Sequence, residues 1–167
     1  GNGEKKILIW SQMHGNESTT TKAVLDFLNY LNNENNKFHN CEIYIIPILN
    51  PDGAELYTRL NFNKVDLNRD AQNLTQKESL FLRQIFEKIK PDFCLNLHDQ
   101  RTIFGVKGNP ATISFLAPSV DESRSITLIR KKAMEIISIM NSFLQKYIPG
   151  QVGRFDDTFN INCSGDK

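Results

Sequence analysis

Three short apolar runs, "KILIW" at 6–10, "EIYIIPIL" at 42–49 and "FCLNLH" at 93–98, are separated by stretches of helical periodicity, and this alternation constrains the fold more than any other feature. Runs of this length, rich in Ile, Leu and aromatic residues and bounded by turn signals, read as buried strands. After the first run, Ala23, Val24, Phe27, Leu28 and Leu31 share one face of a helix over 20–31, with Ser18 or Thr19 as its N-cap. The segment "NNENNKFHN" reads as a polar loop, and the second run ends at a turn signal, "NPDG".

Further on, Thr75 and Glu78 have capping-box spacing ahead of an apolar stripe of Leu80, Leu82, Ile85, Phe86 and Ile89, and Pro91 ends that helix. Beyond the third run, short strands are expected at 102–104 and 113–117. A long amphipathic helix is expected over 121–147, with Ile126, Ile129, Ala133, Ile136, Ile137, Met140 and Leu144 facing inward. Strands alternating with helices predict an α/β layered domain around a mostly parallel or mixed sheet. A chain of 167 residues suits one domain with a sizeable core, so 1–167 is read as a single domain.

Composition narrows the partners. Apolar residues make up 40 %, charged residues 23 %, and the net charge is +1, which gives no electrostatic case for nucleic acid or a membrane surface. No apolar run is long enough to span a bilayer, and no secretory leader is visible, leaving the compartment open between cytoplasm and periplasm. Cys41, Cys94 and Cys163 are far apart and odd in number, which suits neither a disulfide framework nor a Cys-type zinc site. Cys94, inside an apolar run, reads as a small buried hydrophobe.

In open α/β sheets ligands bind beyond the carboxyl ends of the strands. His14 and Glu17 follow the first run, "NPDG" the second, and His98 ends the third. Two His and one Glu, a close pair plus one ligand from a distant strand end, form the donor set of a catalytic zinc site with an open fourth position. Asp66 is a candidate to accept the other ring N–H of His14 and fix its tautomer. Arg59, Asn68 and Arg69 form a cationic and polar group suited to a carboxylate. Taken singly, each has a plainer reading: a solvated turn, a turn signal, surface arginines, a strand-capping histidine. Their order and placement together favour the metal site.

The succession "HGNE", "NPDG", "TRLNFNKVDLNRD" and a strand ending in "LHDQ" resembles the zinc carboxypeptidases related to carboxypeptidase A, over about 6–100. The resemblance implies a three-layer α/β/α fold with a mixed, mostly parallel sheet. It implies zinc held by His14, Glu17 and His98, with Asp66 supporting His14. By the same likeness Arg59 polarises the scissile carbonyl and stabilises its oxyanion, and Asn68 and Arg69 hold a terminal carboxylate. The implied reaction is hydrolysis of a C-terminal peptide bond or of a related N-acyl amino acid. The family's general-base Glu lies on a late strand, and the acidic residues after His98 are Asp99, Asp121, Glu122, Glu135, Asp156, Asp157 and Asp166, none in a strand-like apolar setting. The chain is therefore expected to lack the last strand or strands of the family domain and to be weakly active at most. The alternative is a non-catalytic zinc- or peptide-binding module. Oligomeric state is left open.

Overall fold

A computed structural model describes residues 3–33, 40–100, 105–121 and 123–154, and its contacts divide the chain into two units, Gly1–Asp99 and Gln100–Lys167. The architecture is α/β with mostly parallel strands.

In the first unit β1 (Lys5–Ser11) is central, flanked by β2 (Cys41–Ile46) and β3 (Phe93–Leu97), both parallel to it, in the order β2-β1-β3. Parallel neighbours need crossovers. The helix α1 (Thr19–Asn33) lies in the first, and α2 (Pro51–Glu55), α3 (Leu67–Asp70) and α4 (Lys77–Ile89) in the second. Of the three strands the central one carries the best-buried side chains, Leu8 with no exposure and Ile9 with 7 %. Its register sets Ser11 opposite Leu97, so the segments after β1 and β3 leave the sheet level with each other. Beneath them Met13, Leu49 and Leu67 form a buried cluster, with Trp10, Ile46 and Leu82 packed against it.

Several local expectations need correction. The second strand ends at Ile46 rather than Leu49, because Pro47 has no N–H for the ladder. The chain nevertheless stays beside β1, with Leu49 N donating to Ser11 O and Asn50 N to Gln12 O. "NPDG" is not only a turn: Pro51 opens the short helix α2, and the Asn50 side chain caps it by accepting from Gly53 N at 2.9 Å. The capping box at Thr75 and Glu78 does not form. The N-cap of α4 is Gln76, and the donors around it are taken by Asp70, whose carboxylate accepts from Thr75 N and Gln76 N. At its far end α4 stops at Lys90, a left-handed residue (φ 50°), directly before Pro91.

The second unit holds a small antiparallel hairpin, β4 (Gly105–Val106) with β5 (Asn109–Pro110), and a parallel pair, β6 (Ile113–Phe115) with β7 (Val152–Arg154). Lys107 and Gly108 both have positive φ, as a two-residue hairpin turn of the favoured hand requires. The long helix α5 is Leu128–Leu144, starting later than the expected 121. Asp121 instead closes a local turn, its carboxylate accepting from Ser125 N and Ser123 Oγ, and Thr127 caps the helix. In consequence Ile126 and Ile129 are 67 % and 80 % exposed rather than inward, and Arg130 is the buried residue of the first turn. The expected strand at 102–104 lies outside the described residues. Among those residues no helix is long and apolar enough to cross a membrane.

Candidate metal centre

Immediately after β1 the chain turns through Gln12, buried and in the left-handed region at φ 52°. Its side chain explains how that conformation is held. Gln12 Nε2 donates to Gly15 O at 2.6 Å, and Gln12 Oε1 accepts from Thr21 Oγ1 at 2.8 Å. Glu17 N donates to His14 O, closing the turn and placing both side chains on one side.

"NPDG" backs this loop. A Cβ on Gly15 would lie 1.9 Å from the carbonyl carbon of Gly53, so the two backbones touch where no side chain fits. Asn50, fully buried, donates from Nδ2 to Met13 O at 3.3 Å. The turn signal read from the sequence is thus a support for the His14–Glu17 loop.

Donor atoms of three side chains converge above the ends of β1 and β3. His14 Nδ1 lies 2.8 Å from Glu17 Oε1, His98 Nδ1 lies 2.7 Å from Glu17 Oε2, and the two Nδ1 atoms face each other at 3.1 Å. Tetrahedral zinc with bonds of about 2.0–2.1 Å sets its ligand atoms about 3.3 Å apart. Slight outward relaxation of the three side chains therefore admits the ion, and the imidazole–carboxylate donor set suits zinc.

On its far side His14 Nε2 meets Asp66 Oδ1 at 3.1 Å, while Arg59 Nε donates to Asp66 Oδ2 at 3.0 Å and Arg59 Nη1 lies 3.5 Å from Glu17 Oε1. Side-chain exposure rises from 3 % at His14 through 14 % at Glu17 to 29 % at His98 and 42 % at Arg59, so the centre opens toward the arginine. Burial pushes the Glu17 carboxyl up, but hydrogen bonds from His14 and His98 prevail and hold it down at about 2. Asp66 is held well below the usual carboxylate range in the same way, by His14 and Arg59 against burial. Burial lowers the pKa of His14, yet Asp66 and Glu17 raise it above its ordinary value on balance. Both carboxylates are thus anionic at neutral pH.

The structure brings together His14, Glu17, Arg59, Asp66 and His98. Asn68 and Arg69 follow Asp66 on α3. Asn68 N donates to Asp66 Oδ1 at 2.9 Å, its buried Oδ1 has no hydrogen-bond partner, and Arg69 is exposed. Of the later acidic residues, Glu135 is exposed on α5, while Glu122, Asp156, Asp157 and Asp166 lie outside the described residues. Three residues had no role in the sequence reading. Gln12 shapes the loop that carries His14 and Glu17. Asn61 accepts from Val65 N and donates to Gln76 Oε1, folding the loop between Arg59 and Asp66. Asp99 accepts from the backbone of α1. Only Asp99 had a visible signal, its place directly after His98.

Known proteins carry the same arrangement of chain. A sequence profile described as zinc carboxypeptidase matches residues 1–104. Carboxypeptidase 2 of Trichophyton rubrum is 28 % identical over 102 residues, which is 57 % of this chain and 19 % of that protein. The chain thus spans about a fifth of the length of the curated relatives it matches. Among solved structures, a metallo-carboxypeptidase from Burkholderia cenocepacia superposes with a TM-score of 0.65 at 17 % identity, over 94 % of this chain and 43 % of that one. A metallo-carboxypeptidase from Pseudomonas aeruginosa superposes with a TM-score of 0.52 at 22 % identity, over 59 % and 29 %. These likenesses establish the fold.

Proposed function

The chain belongs to the zinc carboxypeptidase family, and on that premise we propose that His14 Nδ1, Glu17 and His98 Nδ1 hold one zinc ion in a hydrolase that cleaves the amide bond next to a free C-terminal carboxylate. We read 1–167 as part of one catalytic domain. The observation that carries the reading is the convergence of three donor side chains, with contacts of 2.7–3.1 Å, from segments 84 residues apart in the chain. Zinc bound there would supply Lewis acidity and a water with its pKa brought toward neutrality.

The chain's own residues do the rest. Asp66 accepts from His14 and keeps its Nδ1 turned to the metal position. Arg59 spends its Nε–H on Asp66 and has further N–H groups for the oxygen of a scissile carbonyl, where negative charge develops. Asn68 and Arg69 supply a neutral and a charged donor for the substrate carboxylate, which makes a peptide or an N-acyl amino acid the substrate class. Among the described residues the carboxylates touching the donor cluster are already engaged, Glu17 as ligand and Asp66 by His14 and Arg59. With no further carboxylate at the cluster among the described residues to take a proton from the water, peptide turnover by the 167-residue chain alone is expected to be weak.

Zinc content of the purified chain tests the reading, with His98→Ala as the control. About one zinc per chain, lost in the variant, is the expected result. A chain without zinc after reconstitution, or a variant that keeps its zinc, overturns the ligand assignment.

A further inference from the structure

We propose that Asp99 is a positioning residue for the metal centre, joining the segment that carries Glu17 to the segment that carries His98. The inference rests on the zinc reading above and concerns what sets the distance between two of its ligands.

Asp99 reaches across in both directions. Its carboxylate accepts from Thr19 N through Oδ2 and from Thr20 N through Oδ1, each at 3.2 Å. Its backbone N donates to Glu17 Oε2, also at 3.2 Å. The first N–H groups of a helix have no partner within it, and a carboxylate there is favoured by the helix dipole. The first turn of α1 carries no acidic residue of its own, so the chain supplies one from the end of β3. The ladder between β1 and β3 ends at Ser11 and Leu97, and beyond it no strand hydrogen bond fixes where His98 lies relative to Glu17. The bonds of Asp99 begin just there. Glu17 is meanwhile held by both oxygens, Oε1 toward His14 and Oε2 between His98 Nδ1 and Asp99 N. Asp99 therefore sets both the spacing of the two segments and the rotation of the Glu17 carboxylate.

Three variants of the full chain test this: Asp99→Ala, Asp99→Asn and Thr19→Pro. The amide of Asp99→Asn keeps one acceptor oxygen. Thr19→Pro removes one donor at the first helical position, where proline is well tolerated. Each is compared with the unaltered chain by zinc Kd from chelator competition, by the visible spectrum of the cobalt-loaded chain, and by far-ultraviolet circular dichroism of the metal-free chain. Asp99→Ala is expected to weaken zinc binding by about 10–100-fold and to shift the cobalt bands. Asp99→Asn and Thr19→Pro should move both in the same direction by less, with helix content unchanged. A residue that only capped α1 would lower the melting temperature and leave the zinc Kd and cobalt spectrum of the folded chain as they were, and that result overturns the proposal. Should Asp99→Ala fail to fold, Thr19→Pro decides: a folded variant with unaltered zinc affinity and cobalt spectrum sinks the idea. An unaltered chain that binds no zinc defeats the metal-site reading first and this inference with it.

Discussion

Arg59 and Asp66 are joined side chain to side chain, Nε to Oδ2 at 3.0 Å, and the other oxygen of the same carboxylate faces His14 Nε2 at 3.1 Å. One anion thus holds the arginine and orients the His14 imidazole. Replacing it by Asp66→Asn keeps the shape and removes the charge that both partners meet. Zinc affinity is expected to fall by about 10–100-fold, as is usual when a ligand's outer partner is lost. Asp66→Ala should cost more, since it also removes the cap on α3. Chelator competition measures both, and an unchanged Kd in Asp66→Asn would show that His14 needs no anionic partner.

Gly15→Ala tests the backing of the ligand loop by the NPDG segment. Its methyl group would overlap backbone atoms of Gly53, which cannot swing aside as the end of a side chain can. The loop must lift, and a cost of about 1–3 kcal/mol is expected, the range for forced overpacking. Thermal unfolding of the metal-free chain reads the cost, and zinc titration reads the displacement of His14. If Gly15→Ala melts and binds zinc like the unaltered chain, the two backbones are not in fixed contact.

How far the sequence could be read follows the range of the interactions. The strands at β1 and β3 and the helices α1 and α4 were legible because their apolar residues recur at the period of the element, although Leu80 and Phe86 of the α4 stripe stand exposed. The gathering of His14, Glu17 and His98 was legible from motif order, and the contact of Asp66 with His14 from the rule that a ligating imidazole needs a second partner. Contacts between remote polar atoms left no such trace. Thr75 and Glu78 have capping-box spacing, yet Asp70 reaches the Thr75 and Gln76 amides first. The apolar stripe 126–144 suggested an earlier helix start, but Asp121 binding Ser125 N made a turn cheaper there, and Ile126 and Ile129 are left exposed. The closeness of Gly15 to Gly53 depends on atoms those residues do not have, so only the folded chain reveals it.

Leu67 has no exposure and packs in the cluster with Met13 and Leu49, while its chain neighbour Asp66 bonds His14 and Arg59. Leu67→Ala should destabilise the chain by about 2–5 kcal/mol, as buried leucine truncations do. Leu67→Met, close in volume, should cost less than about 1.5 kcal/mol. Urea unfolding of the metal-free chain gives both numbers. Equal losses in the two variants would mean that shape rather than buried volume is decisive at this position.

Asp70 predicts a distinct acid sensitivity. It is 4 % exposed, and burial pushes its carboxyl up. The hydrogen bonds it accepts from Thr75 Oγ1, Thr75 N and Gln76 N prevail, so its pKa lies below the ordinary value. A carboxyl that is more acidic in the folded chain than in the unfolded chain, where it titrates near about 4, contributes its stability fully above that value. The contribution is then lost as pH falls from there through the lower folded value. Asp70→Asn has no such group. The urea midpoint of the metal-free chain should therefore decline more steeply than that of Asp70→Asn as pH drops from about 5 to about 3. The comparison between the two isolates Asp70 from Glu17 and Asp66, which are lowered in both. At neutral pH, Asp70→Ala leaves the Thr75 and Gln76 donors unpaired and should cost about 1–3 kcal/mol. Parallel acid curves for the unaltered chain and Asp70→Asn would mean that Asp70 is no more acidic in the folded chain than in the unfolded one.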